Sequence, residues 1–213
     1  MNIILFGPPG AGKGTQAQFI VQKHNYFQLS TGDLLRDEIK TKSHLGSEIE
    51  KLISNGKFAS DEIVNTLLRK CITNLRFRDR IIFDGYPRNI EQAKNLELIL
   101  NEFNQKIGHI IFLNVSKDII EKRIMGRMTC DKCNMTLNEF FNKDQIELHP
   151  CGKEFLQKRK DDNIDVVVSR YDTYMKTTRP VLDFYSKNVN FTEIDGAAEI
   201  ELITNKINDV LNV

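Results

Sequence analysis

The chain has 213 residues, sets 30 lysines and arginines against 29 aspartates and glutamates, and carries a net charge of +1. That length can bury a substantial core as one domain, with or without inserts, and the balanced charge gives no general drive towards nucleic acid or an anionic membrane. No apolar run approaches the roughly 20 residues of a membrane-spanning helix.

Ile3 to Phe6 form a continuous apolar run, the pattern of a strand buried on both faces of a parallel sheet. The run is too short for a signal peptide, so a cytoplasmic protein is expected, in which the four cysteines do not pair as structural disulfides. Gly7-Pro8-Pro9-Gly10-Ala11-Gly12-Lys13-Gly14-Thr15 follows, and an amphipathic stretch with Ala17, Phe19, Ile20 and Val21 comes directly after it. A strand, a glycine-rich loop and a helix in that order are the setting of a phosphate-binding loop. Backbone N–H groups curl around phosphate oxygens where no Cβ intervenes, the helix start adds its dipole, and Lys13 adds a full charge.

Tyr26 to Leu29 read as the second strand, running into Ser30-Thr31-Gly32-Asp33, a turn and helix N-cap. Leu34, Leu35 and Ile39 continue as a helix with Arg36 on another face, and a second helix with Ile49, Leu52 and Ile53 stops at Asn55-Gly56. Ser60-Asp61-Glu62 opens a helix with Ile63, Leu67, Cys71 and Leu75 at helical spacing, which places Cys71 in the core. Arg80 to Asp84 is the third strand, and Gly85-Tyr86-Pro87-Arg88 leaves its carboxyl end, the edge where ligands bind in open α/β sheets. A helix from Ile90 to about Phe103 and a strand from Ile110 to Val115 come next. Ser116 caps a helix with Ile119, Ile120 and Ile124, on which Arg123 and Arg127 share one face. Met128 to Lys158 lose helical periodicity and hold three of the four cysteines. Helical patterning returns near Asp162 through Val167, Tyr171, Tyr174 and Met175, and Pro180 kinks that helix or starts another. Phe191 to Asp195 form a fifth strand, and Ile200, Ile203, Ile207 and Leu211 mark a last helix.

The alternation predicts an α/β fold with a five-stranded parallel sheet flanked by helices. The expected core comprises 1–29, 60–126 and 163–213, interrupted by inserts at 30–59 and 127–162. Long irregular stretches inside a compact domain usually serve as functional lids.

Five motifs recur in order: Gly7 to Thr15 with its G-K-G-T ending, Ser30 to Arg36, Phe83 to Arg88, Gly126-Arg127, and Arg159 to Asn163. In these the chain resembles the adenylate kinase family, in its long-lid bacterial form. The resemblance implies reversible phosphoryl transfer from ATP to AMP giving two ADP, a P-loop NTPase-like fold, an AMP-binding insert at 30–59 and a lid at 127–162. A monomer with ATP, AMP and ADP as its partners, and neither nucleic acid nor membrane, is the matching expectation.

Such a transfer gathers many negative charges, aligns donor and acceptor, and excludes water. Arginine suits the task because its planar fork donates in pairs to phosphate oxygens and stays charged. One arginine is more often a solvated surface residue; six in matching motifs reverse that reading. By the resemblance, Lys13 and the amides of Gly10, Ala11, Gly12, Gly14 and Thr15 hold the ATP phosphates. Arg123 packs on the ATP base near Thr136 and Leu137, while Arg127 and Arg159 descend from the lid onto the transferring phosphate. Arg36 and Arg88 grip the AMP phosphate with Arg170 near the bridging position, so Lys13, Arg88, Arg127, Arg159 and Arg170 form the expected catalytic set. Thr31, Gly85, Tyr86 and Gln92 match AMP-contacting positions, with the backbone of Lys57, Phe58 and Ala59 against the base. No general base is needed, because the acceptor phosphate is already ionised. Asp84 is the candidate to orient Mg²⁺ through waters, and also reads as a helix N-cap. Ala198 stands where relatives often carry a lysine or glutamine, and Leu137 replaces a frequent aromatic.

Cys130-x2-Cys133 is half of a zinc (Zn²⁺) site. His149 and Cys151 can complete a Cys3His set, although one intervening residue is shorter than the usual spacing; the other reading is a lid that has lost its metal. A zinc ribbon for nucleic acid is disfavoured by the balanced charge. A kinase for GMP, UMP or CMP and a P-loop switch protein are the competing functions; the long lid and Thr31 oppose the first, and the arginine set opposes the second.

Overall fold

The computed structural model describes residues 1–54, 59–158 and 164–211. Strand β1 (Asn2–Phe6) is buried along its whole length and leads through the glycine loop to α1 (Lys13–His24). β2 (Phe27–Ser30) begins one residue later than its apolar pattern suggests. It is followed by α2 (Thr31–Lys40), α3 (His44–Ser54) and α4 (Asp61–Ile72). Ser30 accepts the Asp33 N–H at 3.2 Å, the expected N-cap of α2. α3 crosses α2 at Gly46, where a Cβ would stand 2.5 Å from the Glu38 carbonyl oxygen. α4 ends at Ile72, so Leu75 lies beyond the helix to which its spacing pointed, in a short 3-10 turn.

β3 (Ile81–Asp84), α5 (Ile90–Glu102), β4 (Ile107–Asn114) and α6 (Lys117–Met125) follow. Ser116 precedes α6 as expected, yet its side chain makes no capping hydrogen bond. The helix ends at Gly126, and Arg127 opens β5 (Arg127–Cys130). The expected shared helical face of Arg123 and Arg127 is therefore not formed, because the chain turns into a strand between them. β6 (Thr136–Asn138), the short helix α7 (Lys143–Glu147) and β7 (Leu156–Gln157) complete this region. β5 pairs antiparallel with both other strands, giving a three-stranded sheet in order β6-β5-β7. Leu137, Ile146, Leu156 and Cys130 are its small apolar centre.

α8 (Ile164–Thr173) runs through a π-helical turn, Tyr174–Thr178, into α9 (Arg179–Tyr185). The Arg179 N–H reaches back to the Tyr174 carbonyl, and Pro180 stands at the start of α9. A proline has no N–H to give, so the wide turn and the new helix start accommodate it. β8 (Phe191–Asp195) and α10 (Ile200–Leu211) close the chain.

The main sheet has five strands in order β2-β3-β1-β4-β8, all parallel. Side chains alternate across β1: Ile4 and Phe6 join one core with Leu29, Phe83, Phe112 and Tyr185, while Ile3 and Leu5 join another with Ile82, Ile111 and Leu113. Each buried Ile, Leu or Phe contributes roughly 1.5–3 kcal/mol, so both sheet faces are firmly fixed. Register sets the site. Leu5 lies opposite Asp84 and Asp84 opposite Ser30, so the glycine loop, Gly85 and Thr31 leave the sheet at one carboxyl edge.

Candidate active site

The loop after β1 folds tightly against α6. Gly10 has φ of 80°, and a Cβ there would stand 2.7 Å from Ile124 Cγ1, so only glycine fits. Gly12, with φ of 92°, precedes α1, whose first turn contains Lys13, Gly14 and Thr15. Lys13 Nζ donates to the Gly7 carbonyl at 2.7 Å and to the Pro8 carbonyl at 2.9 Å. Burial pushes its ammonium down to about 8, with Asp84 acting the other way and Arg88 and Arg127 adding to the depression. Arg127 is thus near Lys13, although it stands on β5 of the small sheet and Lys13 opens α1.

Asp84 ends β3 half-buried, and Gln28 Nε2 on β2 donates to its Oδ2 at 2.8 Å. Burial raises the Asp84 carboxyl, against the pull of Lys13, Gln28 and Arg88. Gln28 gave no sequence signal as a site residue; only strand pairing brings it to Asp84. Arg88 Nε donates to the Gly85 carbonyl at 2.9 Å, and its NH2 group donates to Thr31 Oγ1 at 3.4 Å. Thr31 Oγ1 in turn donates to the Gly85 carbonyl at 3.3 Å. Burial lowers the Arg88 guanidinium to about 10, helped by the charges of Arg170 and Arg36, so it remains charged near neutrality. Arg36 pairs with Asp33 across one turn of α2.

A small cavity beside Arg88 is lined by Thr31, Leu35, Ala59, Val64, Tyr86, Arg88 and Gln92. Five of these seven carry site expectations from sequence; Leu35 reads there only as a helix residue, and Val64 carries no reading. The Tyr86 phenol donates to Asn65 Oδ1 at 3.2 Å and to the Gln92 carbonyl at 3.3 Å, and burial raises its pKa well above the usual range, making it a weaker acid.

On the other side of the glycine loop, Arg123 donates to the Ala11 carbonyl at 3.3 Å, with Asp195 near enough to oppose the lowering that burial imposes on it. Asn138 Nδ2 donates to the Arg123 carbonyl at 2.8 Å, tying β6 to the end of α6. Thr136 is half-buried on β6. Leu137 is buried among Cys130, Ile146 and Leu156, so its side chain belongs to the core of the small sheet. Ala198 packs against the main core. Lys57, Phe58, Arg159, Asp161 and Asp162 lie outside the described residues.

At the small sheet, one ligand atom from each of Cys130, Cys133, His149 and Cys151 lies within 4.8 Å of the others. Cys133 Sγ and His149 Nε2 are 3.7 Å apart. Burial pushes the Cys130 thiol up, but backbone N–H groups of Cys133 and Lys132 and the His149 ring outweigh it and hold it at about 6. Hydrogen bonding to Cys133 raises the Cys151 thiol to about 11. Three soft sulfurs and one imidazole at these separations fit a tetrahedral zinc ion, and the short spacing between His149 and Cys151 does not prevent their converging.

Among the described residues no helix is long and apolar enough to cross a membrane. The family model for adenylate kinase matches residues 5–190. The chain is 80% identical to the adenylate kinase of Pelagibacter ubique over the full length of both. It is 40% identical to that of Mycoplasma mycoides, again over both full lengths. With that of Fusobacterium nucleatum it shares 44% identity, over 99% of this chain and 98% of the relative. A P-loop on a five-stranded parallel sheet, with lysine and arginines converging at its carboxyl edge, agrees with these matches: the chain belongs to the adenylate kinase family and is a nucleotide-binding kinase.

Proposed function

We propose that the chain catalyses reversible, Mg²⁺-dependent transfer of the terminal phosphoryl group of ATP to AMP, giving two ADP. The observation that carries this reading is the gathering of Lys13, Asp84, Thr31 and Arg88 at one sheet edge, beside a small recess lined by Thr31, Tyr86, Arg88 and Gln92, with Arg127 and Arg170 near enough to act on the charges of Lys13 and Arg88. Lys13 and the amides of the loop, at the positive end of α1, bind the donor phosphates. Arg88 and Arg36 hold the acceptor phosphate, and Thr31, Gln92 and the apolar walls of the cavity receive its base. Arg123 flanks the donor base. Arg127 brings positive charge from the small sheet onto the phosphate in transit, with Arg159 and Arg170 completing the set. Fixed cations aimed at charge spread over the transferring oxygens stabilise the transition state without solvent reorganisation.

Asp84 suits a magnesium site: it is a carboxylate at the edge of the loop, and Gln28 engages one oxygen, leaving the other free for a hydrated cation. When bound, Mg²⁺ neutralises phosphate charge. The Cys3His cluster suits structural zinc, which would hold the small sheet together away from the chemistry. The segments 30–59 and 127–162 act as two lids on a monomeric core.

A coupled assay offering Mg-ATP with AMP, GMP, UMP or CMP tests the reading. ADP formation strongly favouring AMP is expected, and preference for another monophosphate would overturn it.

A further inference from the structure

The wall of the acceptor cavity contains a polar seam between α4 and the start of α5. Asp61, the first residue of α4, accepts a hydrogen bond from Gln92 Nε2 and a longer one, at 3.5 Å, from Asn89 Nδ2. Gln92 Oε1 accepts the backbone N–H of Arg88 at 2.7 Å. The Gln92 backbone is held as well, its N–H by Asn89 Oδ1 at 2.8 Å and its carbonyl by the Tyr86 phenol at 3.3 Å. The residue is 4% exposed and faces the cavity.

A carboxylate only accepts, and a backbone N–H only donates. Asp61 and Arg88 therefore leave the Gln92 amide one polarity, with its nitrogen towards Asp61 and its oxygen towards Arg88. A flipped amide would set oxygen against carboxylate and NH2 against N–H, losing both bonds. In the observed orientation one Nε2 hydrogen and one Oε1 lone pair remain available to a ligand.

That remainder discriminates between purines. Adenine carries a donor, the amino group, at position 6 beside a ring-nitrogen acceptor; guanine carries a carbonyl acceptor at position 6. A fixed donor–acceptor pair matches one order and opposes the other, whereas a freely rotating amide accommodates both.

We propose that Asp61 is a specificity-determining positioning residue, which holds the Gln92 amide in one polarity so that the cavity selects a 6-aminopurine monophosphate over a 6-oxopurine. Asp61 acts through Gln92 and does not itself touch the base. The proposal rests on the reading of this cavity as the acceptor-base site.

The test compares kcat/KM for AMP and for GMP, at saturating Mg-ATP, in wild type, Asp61→Asn and Asp61→Ala. An asparagine offers one carbonyl oxygen where the carboxylate offers two, and an alanine accepts from neither Gln92 nor Asn89, so each weakens or removes one of the two restraints and leaves the Arg88 N–H as the main bond against turning of the amide. The AMP-to-GMP ratio is expected to fall about tenfold, the worth of one hydrogen bond, with kcat/KM for GMP rising in absolute terms. A purely structural contribution lowers both substrates together. Wild-type preference for AMP with the ratio unchanged in whichever variant folds overturns the inference alone. Wild-type preference for GMP overturns the reading of the cavity and the inference with it.

Discussion

Lys13 Nζ donates to the carbonyl of Gly7, 2.7 Å away, so the charge meant for phosphate is held by the loop that will surround it. Exchange of that carbonyl for a phosphate oxygen is therefore local, a side-chain swing with no refolding. Lys13→Ala should fold normally and lose turnover on the order of 100- to 1,000-fold, because the lost charge acts on the transferring group. Specific activity close to wild type in the folded variant would remove Lys13 from the catalytic set.

The same lysine predicts a pH effect. Its folded value of about 8 lies below the unfolded 10.5, so the unfolded chain binds the proton more tightly. Burying Lys13 thus costs stability below pH 8, and the cost is relieved as pH rises from about 8 towards 10.5. Lys13→Met should melt at or above the wild-type temperature at pH 7 and lose this advantage in alkali. Bound phosphate favours the ammonium, so ATP binding above pH 8 should take up protons in wild type and not in Lys13→Met. Calorimetry in buffers of different ionisation enthalpy measures that uptake directly.

Arg88 reaches both Gly85 and Thr31, which fixes its fork at the rim of the cavity. Arg88→Ala should reduce kcat/KM for AMP by roughly 100-fold and lower kcat as well, since the clamp also aligns the acceptor. Steady-state kinetics with each substrate varied separates the cases: a change confined to the KM for ATP would assign Arg88 to the donor instead.

For the Cys3His cluster, one zinc per chain is expected in protein purified without chelator. Removing the metal should destabilise the small sheet more than it slows catalysis at moderate temperature, because the four ligands anchor that sheet and not the phosphates. Metal analysis together with melting of Cys130→Ser decides it; no zinc above background and unchanged melting would leave the cluster as four unmetallated side chains.

Gln18 Nε2 on α1 donates to the Asn134 carbonyl beside Cys133 at 3.0 Å, a contact between the core and the turn that joins β5 to β6. Closure of that sheet over nucleotides must alter it. Distance labels, one on the 127–158 region and one on α10, should report shortening when a bisubstrate mimic spans both sites. Equal distances with and without the mimic would rule out such closure.

Much of this protein is written in local pattern. Ile3 to Phe6 could only be a strand covered on both sides, and the glycines of the next loop could only be followed by a helix start, because burial and backbone freedom are properties of neighbouring residues. The motifs around Lys13, Thr31 and Arg88 were legible for the same reason. What the sequence left open are relations across space. The short strands β5, β6 and β7 carry no long alternation, so their sheet appears only once they pair, and with it the change of Arg127 from helix face to strand. His149 and Cys151 meet Cys130 and Cys133 because β7, which follows them, pairs with β5 at Cys130. Gln28 finds Asp84 through strand register, and Asp61 finds Gln92 through the packing of α4 against α5. No periodicity encodes such contacts: each depends on where two distant segments are set by a core that neither contains alone, and only the tertiary structure decides it.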